Sequence, residues 1–209
     1  MHIKLFQDII DIVRLKSVKK YLNENPIALR MLLNIFSLFP NHGNELKISL
    51  LRYLGASIGN NVGIGDNVYI YLPKNLVLED YVGIADNTVM RCWNKVQIEK
   101  YTFLAINSVF IPGSHNTYDY DNLPDQNIRI GKGCWIGANC TIMGGVNLEN
   151  GCIVGAGSVL RRGRYERMSI IAGVPAKIIK KRECADIVNQ PTLLLPIKYP
   201  KEELFNDEI

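Results

Sequence analysis

A hydrophobic position recurs every six residues between residues 130 and 160. A period of six fits neither the 3.6-residue repeat of an amphipathic helix nor the two-residue alternation of a half-buried strand. Short fixed periods of this kind are typical of solenoids, in which each hexad supplies one short strand and one corner. The aliphatic positions of the run are Ile130, Ile136, Ile142, Leu148, Val154 and Leu160.

A smaller side chain follows four residues after most of these aliphatic positions. We predict that the large residue points inward and stacks on its equivalents, while the smaller one fills the remaining space near the axis. Gly or Asn, as at Asn139, suits a corner that requires positive φ. Three of the smaller residues, Cys134, Cys140 and Cys152, are therefore expected to be buried free thiols and not metal ligands or disulfides. Free thiols favour a reducing compartment.

The hexads begin at Ile58 and are interrupted at three places. Two gaps are eight residues long, and the third separates Phe110 from Ile130 by twenty. If three hexads make one coil of triangular cross-section, every insertion falls in the third hexad and leaves from the same edge. Insertions on one side of a repeat protein often form its binding face. The loop of residues 111–129 is therefore the predicted functional loop.

The segments that flank the repeat have other patterns. Helical spacing is predicted over residues 3–22, 28–39 and 45–54. We expect these helices to form an N-terminal unit, residues 1–57, that covers the first coil, because terminal repeats need a cap. The solenoid domain then spans residues 58–182. Residues 183–209 lose the hexad pattern and are predicted to form an extended tail.

Composition narrows the class of protein. The chain is 47% hydrophobic, which allows a full core, and its net charge of +4 is spread along the sequence, which does not favour a nucleic-acid partner. No apolar run reaches the roughly 18–20 residues of a transmembrane helix. The N-terminus mixes acidic with apolar residues and shows no cleavage-like site, so no signal peptide is expected. These features predict a cytoplasmic protein.

His115 is the strongest catalytic candidate. It is one of three histidines, and it lies in the long loop a few residues past a predicted strand. Imidazole is the commonest general base near neutral pH, whereas His2 and His42 lie outside the repeat. A zinc site of the tri-histidine type needs several histidines at one point. The chain offers only His115 in the solenoid region, so no metal is expected.

Residues 58–182 resemble the hexapeptide-repeat acyltransferases, in the branch that holds maltose, galactoside and xenobiotic acetyltransferases and bacterial polysaccharide O-acetyltransferases. The hexads, His115 after the sequence LAINSVFIPGSH, and the tail IIAGVPAKIIKKR at residues 170–182, with its G-x-P-A-K motif, are the basis of the resemblance. It implies a mainly β fold, a left-handed parallel β-helix. It also implies acetyl-CoA as co-substrate and a homotrimer with active sites at its interfaces.

The resemblance also implies roles for single residues. Ala138 and Ala156 match positions that contact the pantetheine arm of coenzyme A. The basic residues expected near its phosphates are Arg161, Arg162, Lys177 and Lys180.

Acceptor contacts are expected from Asn87, Asp119 and Tyr120, with Ala85 as the alternative match for Asn87. Cys92 and Trp93 stand where sugar-acetylating relatives often have an acidic residue. This departure predicts an acceptor other than maltose or a galactoside in the same pose.

Three functions remain open at this point. The first is transfer of acetyl from acetyl-CoA to a sugar hydroxyl in surface polysaccharide biosynthesis, with a sugar, sugar-nucleotide or lipid-linked acceptor. His115 is then the general base in a direct attack, because no activated Ser or Cys nucleophile is evident. The second is N-acylation of an amino-sugar or acylation of a xenobiotic amine or alcohol. The third is a non-catalytic β-helix scaffold.

Overall fold

The computed structural model describes residues 11, 16–39, 42–113 and 126–182. Residues 57–182 of this part form a parallel β-helix of about five coils, whose strands build three sheets. Each coil contributes one strand to each sheet in the same order, and we name the sheets A, B and C in that order. The mainly β fold class is confirmed, both the parallel β-helix that the hexads predict and the left-handed form that the resemblance implies.

The strands are two to six residues long and parallel within each sheet, except for the last pair. Sheet A contains β1 (Ser57–Ile58), β4 (Leu76–Leu78), β7 (Val96–Ile98), β10 (Ile128–Ile130), β13 (Val146–Leu148) and β16 (Gly163–Tyr165). Sheet B contains β2 (Gly63–Ile64), β5 (Gly83–Ile84), β8 (Phe103–Leu104), β11 (Trp135–Ile136), β14 (Ile153–Val154), β17 (Ser169–Gly173) and β18 (Ala176–Lys181). Sheet C contains β3 (Tyr69–Tyr71), β6 (Val89–Arg91), β9 (Val109–Ile111), β12 (Thr141–Met143) and β15 (Val159–Leu160).

The corners of successive coils lie above one another and form three edges, which we call the A–B, B–C and C–A edges. All three insertions lie on the C–A edge, as the spacing predicts. They are the 3-10 helix Pro73–Asn75, residues 92–95 and residues 112–127. The long loop is shorter at both ends than residues 111–129, because Ile111 belongs to β9 and Ile128 opens β10.

The inward aliphatic residues form the buried core of the solenoid. Ile130, Ile136, Ile142 and Leu160 have no solvent-exposed surface, and Val154 is 1% exposed. The cysteines of the smaller inward positions are buried free thiols, as predicted, and so is the cysteine at position 92. Burial raises the pKa of Cys92 to about 12, so this thiol stays protonated at neutral pH.

Asparagine occupies the left-handed position of the B–C edge. Asn67, Asn87, Asn107 and Asn139 have φ between 55° and 60°. Their side chains form a ladder between coils: Asn67 Nδ2 donates to Asn87 Oδ1 at 2.6 Å, and Asn107 Nδ2 donates to Asn139 Oδ1 at 3.0 Å. The expected positive φ of Asn139 is therefore confirmed.

The glycine directly after an inward aliphatic residue has a different role. Gly131 has no positive φ. A Cβ at this position would lie 2.6 Å from Asn150 Oδ1 and 2.8 Å from Asn150 N of the next coil. That oxygen accepts a bond from Lys132 N at 3.1 Å. Gly131 is thus needed for the close approach of two coils, and not for the conformation of the corner.

Three helices precede the solenoid in the described part of the chain. They are α1 (Lys16–Glu24), α2 (Pro26–Phe36) and α3 (Gly43–Tyr53). The last two match the predicted segments to within three residues at each end. Most of the first predicted segment, residues 3–22, lies outside the described residues. None of the described helices has the length and apolarity that a membrane span requires.

Side chains of the helices bond to the open backbone edge of the first coil. Arg52 donates to the carbonyls of Ile58 and Gly59, at 2.8 Å and 2.7 Å from Nη2. Asn44 exchanges two bonds with sheet B, through Val62 O and Ile64 N. An uncovered strand edge would be a template for aggregation, and these side chains occupy its donors and acceptors.

At the other end of the solenoid, the antiparallel pair of β17 and β18 extends sheet B. The predicted tail, residues 183–209, lies outside the described residues.

Candidate functional site

The long loop leaves the solenoid from a fixed stem on the C–A edge. Asn94 Nδ2 donates to Pro112 O at 2.8 Å on the outgoing side. On the returning side, Lys95 N donates to Asn127 Oδ1 at 2.9 Å, and Ile128 N donates to Lys95 O at 2.9 Å. Both ends of the loop are therefore held by the insertion of the preceding coil.

A glycine of the next coil lies beneath the stem. A Cβ at Gly144 would lie 2.9 Å from Gly113 N and 2.6 Å from Gln126 Cβ. The two ends of the loop therefore meet over Gly144, and no larger residue fits there. His115, Asp119 and Tyr120 belong to the loop itself and lie outside the described residues, so their roles stay predictions.

Ala138 and Ala156, the residues predicted to contact pantetheine, are neighbours on the B–C edge. Gly157 N donates to Ala138 O at 2.8 Å, which places the two corners directly above one another. Ala156 is exposed and Ala138 is half-buried. A column of small residues at the surface leaves room for an extended amide chain to approach closely.

The predicted acceptor residue Asn87 lies on the same B–C edge, three coils from Ala156. With strands spaced by about 4.8 Å, this corresponds to about 14 Å along the axis. Its side chain is exposed, and its Oδ1 accepts a bond from Asn67 of the ladder. This bond gives Asn87 a structural role, while its predicted contact with the acceptor stays a prediction.

The four basic residues predicted to bind phosphates are all exposed, but they do not form one cluster. Arg161 and Arg162 lie on the C–A edge. The aliphatic part of the Arg162 side chain lies against Gly145, and Gly145 N donates to Gln126 O at the base of the long loop. Lys177 pairs with Ala172 near the B–C edge, whereas Lys180 pairs with Ile170 at the opposite end of β17.

A group of aromatic and basic residues lies beside the loop stem. Tyr71 and Trp93 make an edge-to-face contact with ring centroids 6.4 Å apart, and Arg91 Cζ lies 4.7 Å from the Trp93 centroid. Sequence reasoning singled out Trp93 as a departure from related proteins, but it missed Arg91. The sequence feature that could have identified Arg91 is its position, directly after the inward Met90 and at the last outward position before an insertion.

A second charged group lies near the last coils, around a shallow cavity lined by Glu149, Arg164, Glu166, Arg167 and Lys181. The backbone N–H of Arg167, followed by the guanidinium of Arg164, lowers the pKa of Glu149. Lys181 in turn pairs with Glu166. Sequence reasoning missed this network, because its partners are 15 to 18 residues apart. Both carboxylates are occupied by these ion pairs, Glu149 with Arg164 and Glu166 with Lys181, which favours a structural role.

The predicted site residues lie on opposite sides of sheet C. Asn87 and Ala138 lie on the B–C edge, whereas the loop stem and Arg161 lie on the C–A edge. Strand β6, which is three residues long, separates the corner of Asn87 from the insertion at residues 92–95, a distance of about 10 Å for three extended residues. A site that uses both edges therefore needs either a loop that crosses sheet C or a second copy of the chain.

Comparisons with known proteins agree with the fold. Residues 127–162 match a family model described as bacterial transferase hexapeptide (six repeats). The putative colanic acid biosynthesis acetyltransferase WcaF of Escherichia coli K12 is 29% identical over 157 residues, which cover 75% of this chain and 81% of WcaF. The putative lipopolysaccharide biosynthesis O-acetyl transferase WbbJ of the same organism is 46% identical over 63 residues, which cover 30% of this chain and 32% of WbbJ.

Solved structures share the architecture. A maltose O-acetyltransferase from Clostridium difficile 630 superposes with a TM-score of 0.68 at 21% identity, over 82% of this chain and 91% of that protein. The hexapeptide-repeat acetyltransferase VCA0836 from Vibrio cholerae, in complex with acetyl coenzyme A, gives 0.66 at 20% identity, over 82% and 92%. At this identity, the likeness concerns the fold alone.

The match to the hexapeptide family, the acetyltransferase relatives and the β-helix with one long loop on its C–A edge lead to the same assignment. The chain carries the hexapeptide repeat of bacterial transferases over residues 127–162, and its relatives and structural neighbours support an acyl-CoA-dependent acyltransferase.

Proposed function

We propose that this protein transfers an acetyl group from acetyl-CoA to a hydroxyl of a sugar in the biosynthesis of a surface polysaccharide. The observation that carries the proposal is the similarity to WcaF, which extends over 157 residues, or 75% of the chain. The shorter match to WbbJ supports the same class of acceptor. The fold supplies both elements that the reaction needs, a fixed stem for the loop of His115 and a column of small residues for the pantetheine arm.

In this proposal, His115 is the general base of a direct attack. The neutral imidazole takes the proton of the acceptor hydroxyl while the oxygen attacks the thioester carbon. The tetrahedral intermediate then collapses with departure of the coenzyme A thiolate, which is protonated. A base in this position contributes about 10²- to 10⁴-fold to the rate. All four cysteines of the described residues are buried, which supports a mechanism without an acyl-enzyme.

The residues present fit coenzyme A as co-substrate. Ala138 and Ala156 leave the B–C edge open to the pantetheine arm. Arg161, Arg162 and Lys177 provide exposed cations around the last coil for the phosphates, at two different edges. Lys180 lies farther along β18. A ligand that contacts both edges is consistent with a groove formed by two copies of the chain.

Surface chemistry supports a homotrimer with shared sites. The outward residues of sheet B form an apolar column in register, and Trp135 within it is 44% exposed. The outward residues of sheet A are polar apart from Val77, and Arg129 pairs there with Glu99 at 2.7 Å. Exposed apolar columns mark contact surfaces, so sheet B is the face proposed to pack on a neighbouring subunit. The column of sheet B consists of Phe103, Trp135, Ile153 and Ile170.

The decisive experiment measures coenzyme A release from acetyl-CoA with a panel of neutral sugars, uronic acids, sugar nucleotides, amino-sugars and chloramphenicol. We expect release with hydroxyl acceptors of the polysaccharide type, identified by mass spectrometry of an O-acetyl ester. His115→Ala should lower kcat by about 10²- to 10⁴-fold. Acetylation confined to amines or to chloramphenicol would instead favour the second function, and no turnover with any acceptor would favour a scaffold.

The matched control is His42→Ala. His42 is the N-cap of α3 and pairs with Glu45 on the exposed surface of the helical cap, far in sequence from the loop. This variant should keep wild-type kcat. If His115→Ala also turned over a true acceptor at the wild-type rate, the assignment of the general base would be wrong.

A further inference from the structure

One column of outward residues follows the C–A side of sheet C. Tyr71, Arg91, Ile111 and Met143 are aligned by the strand register, and the long loop leaves directly after Ile111. Arg161 continues this column one coil beyond Met143, since the two residues follow the paired inward Ile142 and Leu160. The exit of the loop therefore lies between two arginines, Arg91 on one side and Arg161 on the other.

Trp93 holds the guanidinium of Arg91 in a defined place. Arg91 Cζ lies 4.7 Å from the centroid of the indole, a cation–π distance. The indole is held in turn by the edge of Tyr71 and by the stem, where a Cβ at Gly113 would lie 3.4 Å from Trp93 Cε3. Trp93 is 40% exposed, so this pair is accessible at the surface.

No carboxylate within the described residues pairs with Arg91. Two other arginines on the outer surface of the solenoid have carboxylate partners, Arg129 with Glu99 and Arg164 with Glu149. Stacking on an indole uses the face of a guanidinium and leaves its N–H edges available for a bidentate bond to an oxyanion. Arg91 is therefore an oriented cation at the mouth of the proposed site, on the side away from Arg161.

We propose that Arg91, positioned by Trp93, binds an anionic group of the acceptor, so that the acceptor is a saccharide bearing a phosphate or carboxylate. The proposal rests on the proposed function and specifies its substrate class. The phosphates of coenzyme A are then bound towards Arg161. The two arginines lie three coils apart, which is about 14 Å. The reacting hydroxyl lies between the two anions, where the loop of His115 emerges.

A binding experiment tests this without turnover. Inorganic pyrophosphate and glucuronate serve as probes of the two possible anions, and glucose serves as the neutral probe. Each is titrated into the full-length protein by calorimetry at constant ionic strength, with saturating coenzyme A to occupy the donor site. The wild type should bind one or both anions, and Arg91→Gln should weaken that binding about ten- to a hundredfold, the loss expected for a charge-assisted bond.

The matched control is Lys20→Gln, which removes one exposed positive charge on α1 and should leave anion binding unchanged. Loss of pyrophosphate binding alone identifies a phosphate-bearing acceptor, and loss of glucuronate binding alone identifies a uronic acid. Equal binding of both anions by wild type and Arg91→Gln, or binding by neither protein, would overturn the proposal. Circular dichroism and the unfolding midpoint establish that Arg91→Gln is folded.

A kinetic experiment separates this proposal from the proposed function. With an anionic acceptor, Arg91→Gln should raise the acceptor KM about tenfold or more and leave kcat within about twofold. Trp93→Phe should raise the same KM less, because it keeps an aromatic face. With a neutral acceptor, neither variant should change KM. Equal effects on both acceptors would contradict the anion subsite, whereas absence of turnover by the wild type would contradict the proposed function alone.

Discussion

At the scale of single residues, the cost of replacing a glycine in this solenoid depends on how closely the next coil approaches it. Gly131→Ala would place a Cβ against the backbone and the side chain of Asn150 in the next coil. Because backbone cannot move aside easily, we expect a loss of about 1–3 kcal/mol in the free energy of unfolding. The measurement is urea-induced unfolding of the wild type and the variant.

Gly63→Ala provides the control for this prediction. Gly63 lies in β2 of sheet B without a positive φ, and a Cβ added there would have no neighbouring atom within 4 Å. We expect an unchanged or slightly higher free energy of unfolding, since alanine restricts the unfolded chain. Equal losses for Gly131→Ala and Gly63→Ala would contradict the explanation by inter-coil contact.

The hexad pattern predicted which residues form the core, because burial of an aliphatic side chain every sixth residue leaves a periodic signal. Ile136 and Cys140 were assigned correctly on this basis. It did not predict the reason for Gly131, since a close approach to Asn150 depends on the alignment of two coils. Arg91 was missed for a similar reason. Its contact with Trp93 depends on the path of the insertion that follows β6.

At the scale of secondary-structure elements, a buried lysine joins α3 to the first coil. Lys47 is 3% exposed, and its ammonium donates to Ile64 O at 3.1 Å, Gly65 O at 2.9 Å and Asp66 Oδ1 at 2.9 Å. Lys47→Met keeps most of the apolar volume but leaves these acceptors without their donor. We expect a loss of about 1–3 kcal/mol in the free energy of unfolding, whereas the exposed Lys20→Met should be neutral.

The same variant has a characteristic dependence on pH. The pKa of Asp66 lies below its usual value of 3.8, first because the Ser37 hydroxyl donates to it and second because of Lys47. A carboxyl whose pKa is lowered by folding stabilises the fold above about pH 4, and this contribution disappears as pH falls through its folded-state pKa. The difference in the free energy of unfolding between wild type and Lys47→Met should therefore become smaller below about pH 4. The narrowing is modest, because the Asp66 side chain is 67% exposed and screened by water.

The helices illustrate what sequence patterns can and cannot predict at this scale. Apolar spacing and the flanking Pro40 and Gly55 were enough to identify α2 and α3, because local propensity determines where helices begin and end. The attachment of α3 to the solenoid was not predictable. It depends on polar residues such as Asn44 and Lys47, whose spacing resembles that of any exposed helix face. Their partners are backbone atoms 17 to 20 residues away.

At the scale of the whole molecule, the two edges of sheet C determine how many chains one active site needs. The loop stem lies on the C–A edge, and Ala156 lies on the B–C edge. Hexad counting predicted that all insertions share one edge, because each coil adds the same three strands. It could not predict which face is the candidate contact surface, since the apolar column through Trp135 becomes visible only when the strands are in register.

Subunit mixing tests whether active sites are shared. Two variants should each be inactive as pure trimers, His115→Ala without its base and Ala156→Trp with an indole in the proposed pantetheine column. In trimers assembled at random from equal amounts, a site that takes His115 from one subunit and Ala156 from its neighbour is intact in about a quarter of cases. Co-expression with two affinity tags and tandem purification removes the pure trimers, so each remaining trimer has one intact site of three. The coenzyme A release assay should therefore recover about a third of the wild-type activity. A mixture as inactive as its parents would instead place His115 and the coenzyme A groove of each site in the same chain, with the loop crossing sheet C.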